Sequence, residues 1–220
     1  MRVNKYVAQA TGLSRRAADR AIEAGRVRIN QKQAVPGDKA GPEDSVYLDN
    51  GRLVLNPVPT TIILNKPAGY VCSRSGQGSK TVYDLLPREY RRLKTVGRLD
   101  KDTSGLLLLS DNGELANTLT HPSYGKNKVY QAGLNKKLAL KDKKKLLTGV
   151  RLADGPSKFI NIADCSDKVY EITLQEGRNR QIRRTFQALD YKIVKLRRIK
   201  FGDYSLPAQL GEGEWELIET

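Results

Sequence analysis

Four consecutive leucines, Leu106 to Leu109, follow a glycine-bounded polar loop in the run Gly97-Arg-Leu-Asp-Lys-Asp-Thr-Ser-Gly-Leu-Leu-Leu-Leu-Ser110. An unbroken apolar run of that kind has no wet face, so it reads as a strand buried on both sides or as another core segment. The loop before it is therefore held by a rigid element. It carries two carboxylates, Asp100 and Asp102, beside Arg98 and Lys101. An acid at the mouth of a core strand is a candidate nucleophile or general base. The same residues also suit a surface turn in which an Asp caps Thr103-Ser104, and the loop alone does not separate the two.

The 220 residues are enough for one medium domain plus a small one, and 39% apolar residues can fill a core. Lys and Arg number 39 against 24 Asp and Glu, a formal net charge of +15. Such an excess favours a polyanionic partner, because basic side chains gain by neutralising phosphates and releasing counterions. RNA, DNA and an anionic membrane surface all satisfy it. No apolar stretch approaches the roughly 20 residues that span a bilayer, and the opening Met-Arg-Val-Asn-Lys-Tyr lacks the apolar run of a signal peptide, so a cytoplasmic location is expected. Cys72, Cys165 and His121 cannot make a four-ligand zinc site, and no CxxC pair is present. Each cysteine is expected to be a plain buried or half-buried thiol, and His121, next to Pro122, a helix-end cap or surface residue.

Val3, Val7 and Ala10 share a helical face that Gly12 can end, and Ser14 caps a second helix with Ala17, Ala18, Ala21 and Ile22 at helical spacing. Arg15, Arg16 and Arg20 point outward from it. Arg26 to Asn30 and Val46 to Leu48 read as short strands, which makes a compact basic module over residues 1–48. Residues 49–60 combine turn residues with two prolines and read as a linker or an edge segment, leaving 61–220 as a second domain. There, Thr61 to Asn65 is a strand running into the turn Lys66-Pro67-Ala68-Gly69-Tyr70. Ser73 to Lys80 is a polar loop without the spacing of a phosphate-binding P-loop. Val82 to Leu86 and Gly113 to Leu119 are short helices; Lys128 to Leu134 and Val169 to Gln175 alternate as strands. The basic run from Lys136 to Lys145 reads as a solvated helix anchored by Leu138, Leu146 and Leu147. Glu176 to Arg184 is a turn entering a helix that buries Ile182, Phe186 and Leu189, and Ile193 to Phe201 is a strand with a basic side. Trp215 to Ile218 closes as an edge strand. Strands joined by short helices, without regular βαβ units, predict an α+β chain whose second domain is a mixed, mainly antiparallel sheet.

Two resemblances sharpen this. The pattern Arg2-Val3-Asn4-Lys5-Tyr6, Ser14-Arg15-Arg16-Ala17-Ala18 and Gly25-Arg26-Val27-Arg28-Ile29-Asn30 resembles the S4 RNA-binding domain. Gly97-Arg98-Leu99-Asp100-Lys101-Asp102-Thr103-Ser104-Gly105-Leu106 resembles the signature of ribosomal RNA pseudouridine synthases that carry such a domain. Lys66-Pro67, Lys128-Val129-Tyr130 and Glu176 to Arg184 resemble the other motifs of that family, in family order. The resemblance implies a pseudouridine-synthase catalytic domain in which Asp100 is the essential aspartate, Tyr130 stacks on the target base, and Arg183 pairs with Asp100. It implies RNA contacts from Arg98, Lys128, Lys66, Arg178, Arg180 and Arg184, and from Arg15, Arg16, Arg20 and Arg26 of the S4-like module. Arg98 would fill the vacancy left by a flipped base or bind a nearby phosphate. Neither a cofactor nor a metal is implied; the implied partner is ribosomal RNA or a pre-ribosomal particle, and a monomer is the default.

Small departures touch none of the proposed acid, tyrosine or arginine: Asn127 where relatives commonly have Glu, Thr185 where a bulky apolar residue is usual, and Asp190 in place of a common glycine. The segment around Arg178 to Arg184 and the ending Gly202 to Pro207 look more like large-subunit than small-subunit members. The small-subunit reaction, a non-catalytic assembly factor and a DNA-binding regulator are the competing readings.

Overall fold

The computed structural model describes residues 1–55 and 58–219; Asn56 and Pro57, within the expected linker, and Thr220 lie outside the described residues. The chain divides into two compact units, residues 1–60 and residues 61–219.

In the first unit, helix α1 (Val3–Thr11) ends at Gly12, whose φ of 77° is the left-handed conformation a C-terminal cap requires. Helix α2 (Arg15–Glu23) starts at Ser14, whose hydroxyl accepts from the Ala17 N–H at 3.1 Å. Strands β1 (Val27–Ile29), β2 (Lys32–Gln33), β3 (Val46–Leu48) and β4 (Gly51–Arg52) form an antiparallel sheet in the order β2-β1-β3-β4. Of the apolar positions read from helical spacing, Val3, Val7, Ala18, Ala21 and Ile22 pack with Val27 and Val46 as a small core, while Ala10 and Ala17 are only half-buried and outside it. Of the two readings of residues 49–60, linker or edge segment, the start of the stretch takes the second: Asp49 and Asn50, both at positive φ, turn the chain back so that β4 pairs with β3 at the edge of the sheet. Its turn residues are those of a hairpin rather than of a spacer.

The second unit contains β5 (Thr61–Lys66), β6 (Lys94–Val96), β7 (Ser104–Ser110), α3 (Gly113–Thr120), β8 (Lys128–Leu134) and α4 (Leu140–Thr148). It continues through β9 (Val150–Leu152), β10 (Gly155–Ser157), β11 (Asn161–Ser166), β12 (Val169–Leu174) and α5 (Gln181–Gln187) to β13 (Ile193–Phe201), β14 (Tyr204–Ser205) and β15 (Trp215–Ile218). Among the described residues the main sheet runs β11-β12-β8-β13-β7-β5-β15, with β14 on β13 and β6 on β7; β9 and β10 form a separate hairpin. Its pairs are antiparallel except β13 with β7. β15 is an edge strand, as expected.

The leucine run is strand β7, buried along its whole length. Leu107 and Leu109 face one apolar cluster with Ile62 and Leu64, while Leu106 and Leu108 face another with Ile63, Val96 and Phe201. Both faces of the central sheet are thus covered, which is why the alternation of a half-wet strand is missing. Val82–Leu85 is a single 3₁₀ turn rather than a longer helix, closed by the Asp84 carboxylate accepting from the Thr81 N–H at 2.8 Å. Asp190 stands at φ 61° after α5, a region aspartate tolerates better than most side chains and where the resemblance led to the expectation of glycine.

Candidate active site

The loop from Gly97 to Thr103 joins β6 to β7, so its exit is fixed by the central parallel pair β7–β13. Lys66, the last residue of β5, is fully buried. Its Nζ is shared among the carbonyl oxygens of Thr103 (2.8 Å), Pro67 (3.0 Å), Asp100 (3.2 Å) and Lys101 (3.4 Å). Burial pulls its pKa below the ordinary lysine value, against the charges of Asp102 and Asp100 that hold it up. The Gly69 N–H adds a bond to the Lys101 carbonyl at 2.7 Å, and Cys72 and Leu99 make reciprocal thiol–backbone contacts at 3.4 Å. The Lys-Pro turn therefore holds the acid loop by its backbone. Lys66 was expected on RNA; among the described residues its hydrogen-bond partners are carbonyls of its own chain.

A cleft of about 530 Å³ opens on this loop, lined among others by Arg98, Asp100, Tyr130, Arg183 and Arg198. Asp100 is half-buried, and among the described residues no hydrogen bond or ion pair engages its carboxylate. Tyr130 comes from the middle of β8, 8% exposed, with its ring in the main apolar cluster. Arg98 is exposed and Lys128 half-buried.

Arg183 lies in the first turn of α5 beside the buried Ile182, and its side chain is 14% exposed. The expected Arg183–Asp100 pair is not what the structure holds. Arg183 Nε lies 3.2 Å from Asp102 Oδ2, and its terminal nitrogens donate to the carbonyls of Asp102 at 2.9 Å and Ile193 at 3.4 Å. Arg180 donates to both Asp102 oxygens, at 3.0 and 2.9 Å. Partial burial works to raise the Asp102 pKa, but the Arg180 bonds and the Arg183 charge outweigh it, and the carboxyl sits below its ordinary value. Asp102 thus occupies two cleft arginines while Asp100 remains unengaged.

The other arginines of the basic turn are largely committed within the fold. Arg178 donates to the carbonyls of Asp154, Gly155 and Pro156 and pairs with Glu176 at 3.0 Å; Arg184 makes a bidentate pair with Asp154 at 2.8 Å on both arms. Both were expected on RNA; here they brace the Glu176–Arg180 turn against the β9–β10 hairpin. In the first unit Arg15, Arg16 and Arg20 are exposed, whereas Arg26 forms a bidentate pair with Asp49. His121 caps the turn at Pro122, as expected, its Nδ1 accepting from the Ser123 N–H at 3.3 Å. Cys72 is half-buried, but Cys165 is exposed, contrary to expectation, at the solvent end of β11.

Two cleft residues carried no signal of their own in the sequence. Arg198, 2% exposed, stands on β13 opposite Tyr130, and Phe201, 1% exposed, stands opposite Lys128. Among the described residues no group of three or more His, Cys, Asp or Glu converges as a metal site, and no helix is long and apolar enough to cross a membrane.

Residues 60–188 match the family described as RNA pseudouridylate synthase, and residues 1–46 match the S4 domain. A protein of Aquifex aeolicus (strain VF5) described as an uncharacterized RNA pseudouridine synthase is 37% identical over 225 residues, 99% of this chain and 90% of that protein. The ribosomal large subunit pseudouridine synthase B of Salmonella typhi is 36% identical over 231 residues, 99% of this chain and 79% of the relative. A crystal structure of a pseudouridylate synthase is similar at a TM-score of 0.72 and 31% identity, covering 99% of this chain and 96% of the other.

Proposed function

The chain belongs to the RNA pseudouridylate synthase family and carries an S4 domain, and from that premise we propose that it isomerises one uridine of large-subunit ribosomal RNA to pseudouridine, with Asp100 as the essential acid. The carrying observation is the cleft in which the Gly97–Thr103 loop meets Tyr130 of β8 and the arginine-bearing start of α5. Whole-length likeness to large-subunit synthases favours that RNA over the small-subunit one.

The reaction breaks the C1′–N1 bond of uridine, turns the uracil, and joins C5 to C1′; the C5 proton is lost and N1 ends protonated. C1′ is reduced by one unit as C5 is oxidised by one, so the isomerisation has no net redox change and no redox cofactor is called for. A uridine inside a helix must first leave its stack, at a cost of a few kcal/mol that stacking and hydrogen bonds in the pocket repay. Tyr130 is suited to stack on the uracil, since its ring edge is fixed by core packing. Asp100 acts ionised on the sugar or base. Its freedom from ion pairs among the described residues leaves it available for that step. Arg183, held by Asp102, which stands two residues after Asp100, is suited to meet charge that develops near Asp100. Exposed Arg98 at the rim is suited to fill the gap left in the RNA stack or to meet a phosphate. The exposed arginines of α2 in the S4 domain supply affinity for structured RNA.

The test is to incubate the protein with unmodified large- and small-subunit rRNA transcripts and map pseudouridine at single-nucleotide resolution, with Asp100→Asn alongside. One new site in the large-subunit transcript, absent with the variant although the variant still binds, is the expected outcome. A site in the small-subunit RNA would redirect the target, and modification by Asp100→Asn would sink the assignment of the acid.

A further inference from the structure

Arg198 takes no part in the chemistry above, yet it is among the largest side chains buried in the protein, at 2% exposure. Its neighbours across the sheet are Gly105 of β7 and Tyr130 of β8, so it leaves the sheet on the same face as Tyr130, and both line the cleft. Nε donates to the Leu106 carbonyl at 2.9 Å, and the guanidinium carbon lies 4.6 Å from the centroid of the Phe201 ring. One terminal nitrogen, Nη2, is buried with no hydrogen-bond partner.

Lys128 Nζ lies 5.3 Å from the centroid of that same ring and donates to the Gln175 carbonyl at 2.7 Å. Burial and the Arg198 charge both push the Lys128 pKa down, so the two cations repel each other. Among the described residues no carboxylate forms an ion pair with either. Unpaired donors and unneutralised charge in a low-dielectric wall are costly unless a ligand meets them. A neutral base carbonyl could satisfy the free N–H but would leave the repulsion. An anion relieves both.

We infer that Arg198 and Lys128, flanking Phe201, form a seat for a phosphodiester adjoining the target uridine. The inference rests on the reading of the protein as an RNA-modifying enzyme and adds to it a residue outside the motifs that suggested that reading. The seat has a mechanical purpose: the ribose must stay in place while the uracil detaches and turns, and a clamped phosphate holds it there. Because Arg198 is tied to the carbonyl of Leu106, the seat is fixed to the strand that leaves the Asp100 loop. Its guanidinium is already oriented by that bond and by Phe201, so little entropy is lost on binding.

The test uses ¹⁵N-arginine-labelled full-length protein and a 2′-O-methyl RNA pentamer with a central uridine, compared with pentamers carrying a neutral methylphosphonate on one side of that uridine or the other. The Arg198 Nε–H resonance, identified by its loss in Arg198→Lys, should shift to saturation with the all-phosphate pentamer. One of the neutral linkages should weaken binding to the wild-type protein by roughly tenfold to hundredfold, the range of a hydrogen-bonded charge pair. The same linkage should cost Arg198→Lys and Lys128→Gln less than about threefold, since the contact is already impaired; a melting curve for each establishes that it is folded. Equal losses in variant and wild type, no effect of either neutral linkage, a silent Arg198 resonance, or no binding at millimolar pentamer would each overturn the seat. Failure of the rRNA mapping experiment is a separate result, because this titration needs no turnover.

Discussion

The glycine at the start of the leucine strand offers the sharpest test of how the site is framed. Gly105 has φ 100°, and a Cβ placed on it would lie 2.2 Å from the Arg198 carbonyl oxygen, 2.8 Å from the Arg198 nitrogen and 2.9 Å from Arg197 Cγ. Two of those three atoms are backbone, so no side-chain rotation relieves the clash. Arg197↔Ser104 and Arg198↔Gly105 are the paired positions that join β7 to β13, and the two halves of the main sheet meet there. Gly105→Ala must therefore either spread that junction or be refused. Backbone strain of about 1–3 kcal/mol and overpacking of about 1–3 kcal/mol give a destabilisation of roughly 2–6 kcal/mol. For a unit of this size each kcal/mol moves the melting temperature by about 2–4 °C, so a fall of roughly 5–20 °C is expected. Thermal unfolding followed by near-ultraviolet circular dichroism measures it. The control is Gly113→Ala at the start of α3, where an added Cβ meets nothing within 4 Å, and which should change little or gain slightly. A Gly105→Ala protein melting within about 2 °C of wild type, a small fraction of the expected shift, would refute the close-approach argument.

Lys66→Met should cost about 2–4 kcal/mol in urea unfolding, because the carbonyls sharing its ammonium lose a donor while the relief of a buried charge offsets only part; a stability equal to wild type would mean the loop holds itself. Asp102→Asn should lower stability by under ~1 kcal/mol, as its pairs are partly exposed, yet reduce kcat roughly tenfold with little change in KM by loosening Arg183. The Asp102 pKa is depressed in the folded state, so its stabilising contribution is full above the unfolded carboxylate value near ~4 and vanishes as pH falls through the lower folded value. Melting curves of wild type and Asp102→Asn should accordingly converge at acid pH and separate above it.

Local signals and long-range ones fared differently. Gly12, Ser14 and the four leucines act within a few residues of themselves, and the helix ends and the doubly buried strand followed from them. Besides Glu176 beside Arg178, Arg178 and Arg184 share an acid, Asp154, 24 and 30 residues earlier, across the β9–β10 hairpin. Nothing near either arginine announces that partner, so both read as free to meet RNA. Strand β13 misleads for another reason. Register shifts lie between Ile193 and Lys195 and between Arg198 and Lys200, so its buried positions include Ile193, Leu196, Arg198 and Phe201. Two of those spacings are three residues, which a period of two does not anticipate. A bulge thus carried Arg198 inward while the sequence pattern showed only a basic strand.

The same contrast explains the two acids of the central loop, which the loop's own residues left equivalent until the family resemblance singled out Asp100. Among the described residues the polar contacts of the loop are made to its backbone, to Asp102 or to Lys101: Lys66 to three of its carbonyls, Gly69 to the Lys101 carbonyl, Cys72 to Leu99, Arg183 to the Asp102 carbonyl and carboxylate, and the Lys101 ammonium to the Ser79 hydroxyl. None is made to the Asp100 side chain. The loop is rigid without drawing on that carboxylate, which is the arrangement a reacting group requires and a structural cap does not. A capping aspartate would be bonded to backbone N–H groups ahead of it; Thr103 N instead bonds to the Asp100 carbonyl, at 3.1 Å. It follows that Asp100→Asn removes charge from the cleft while leaving the supports of the loop in place. Unchanged melting together with lost isomerisation is then the signature of an acid that reacts, whereas a lowered melting temperature in that variant would return Asp100 to the structural role its neighbour fills.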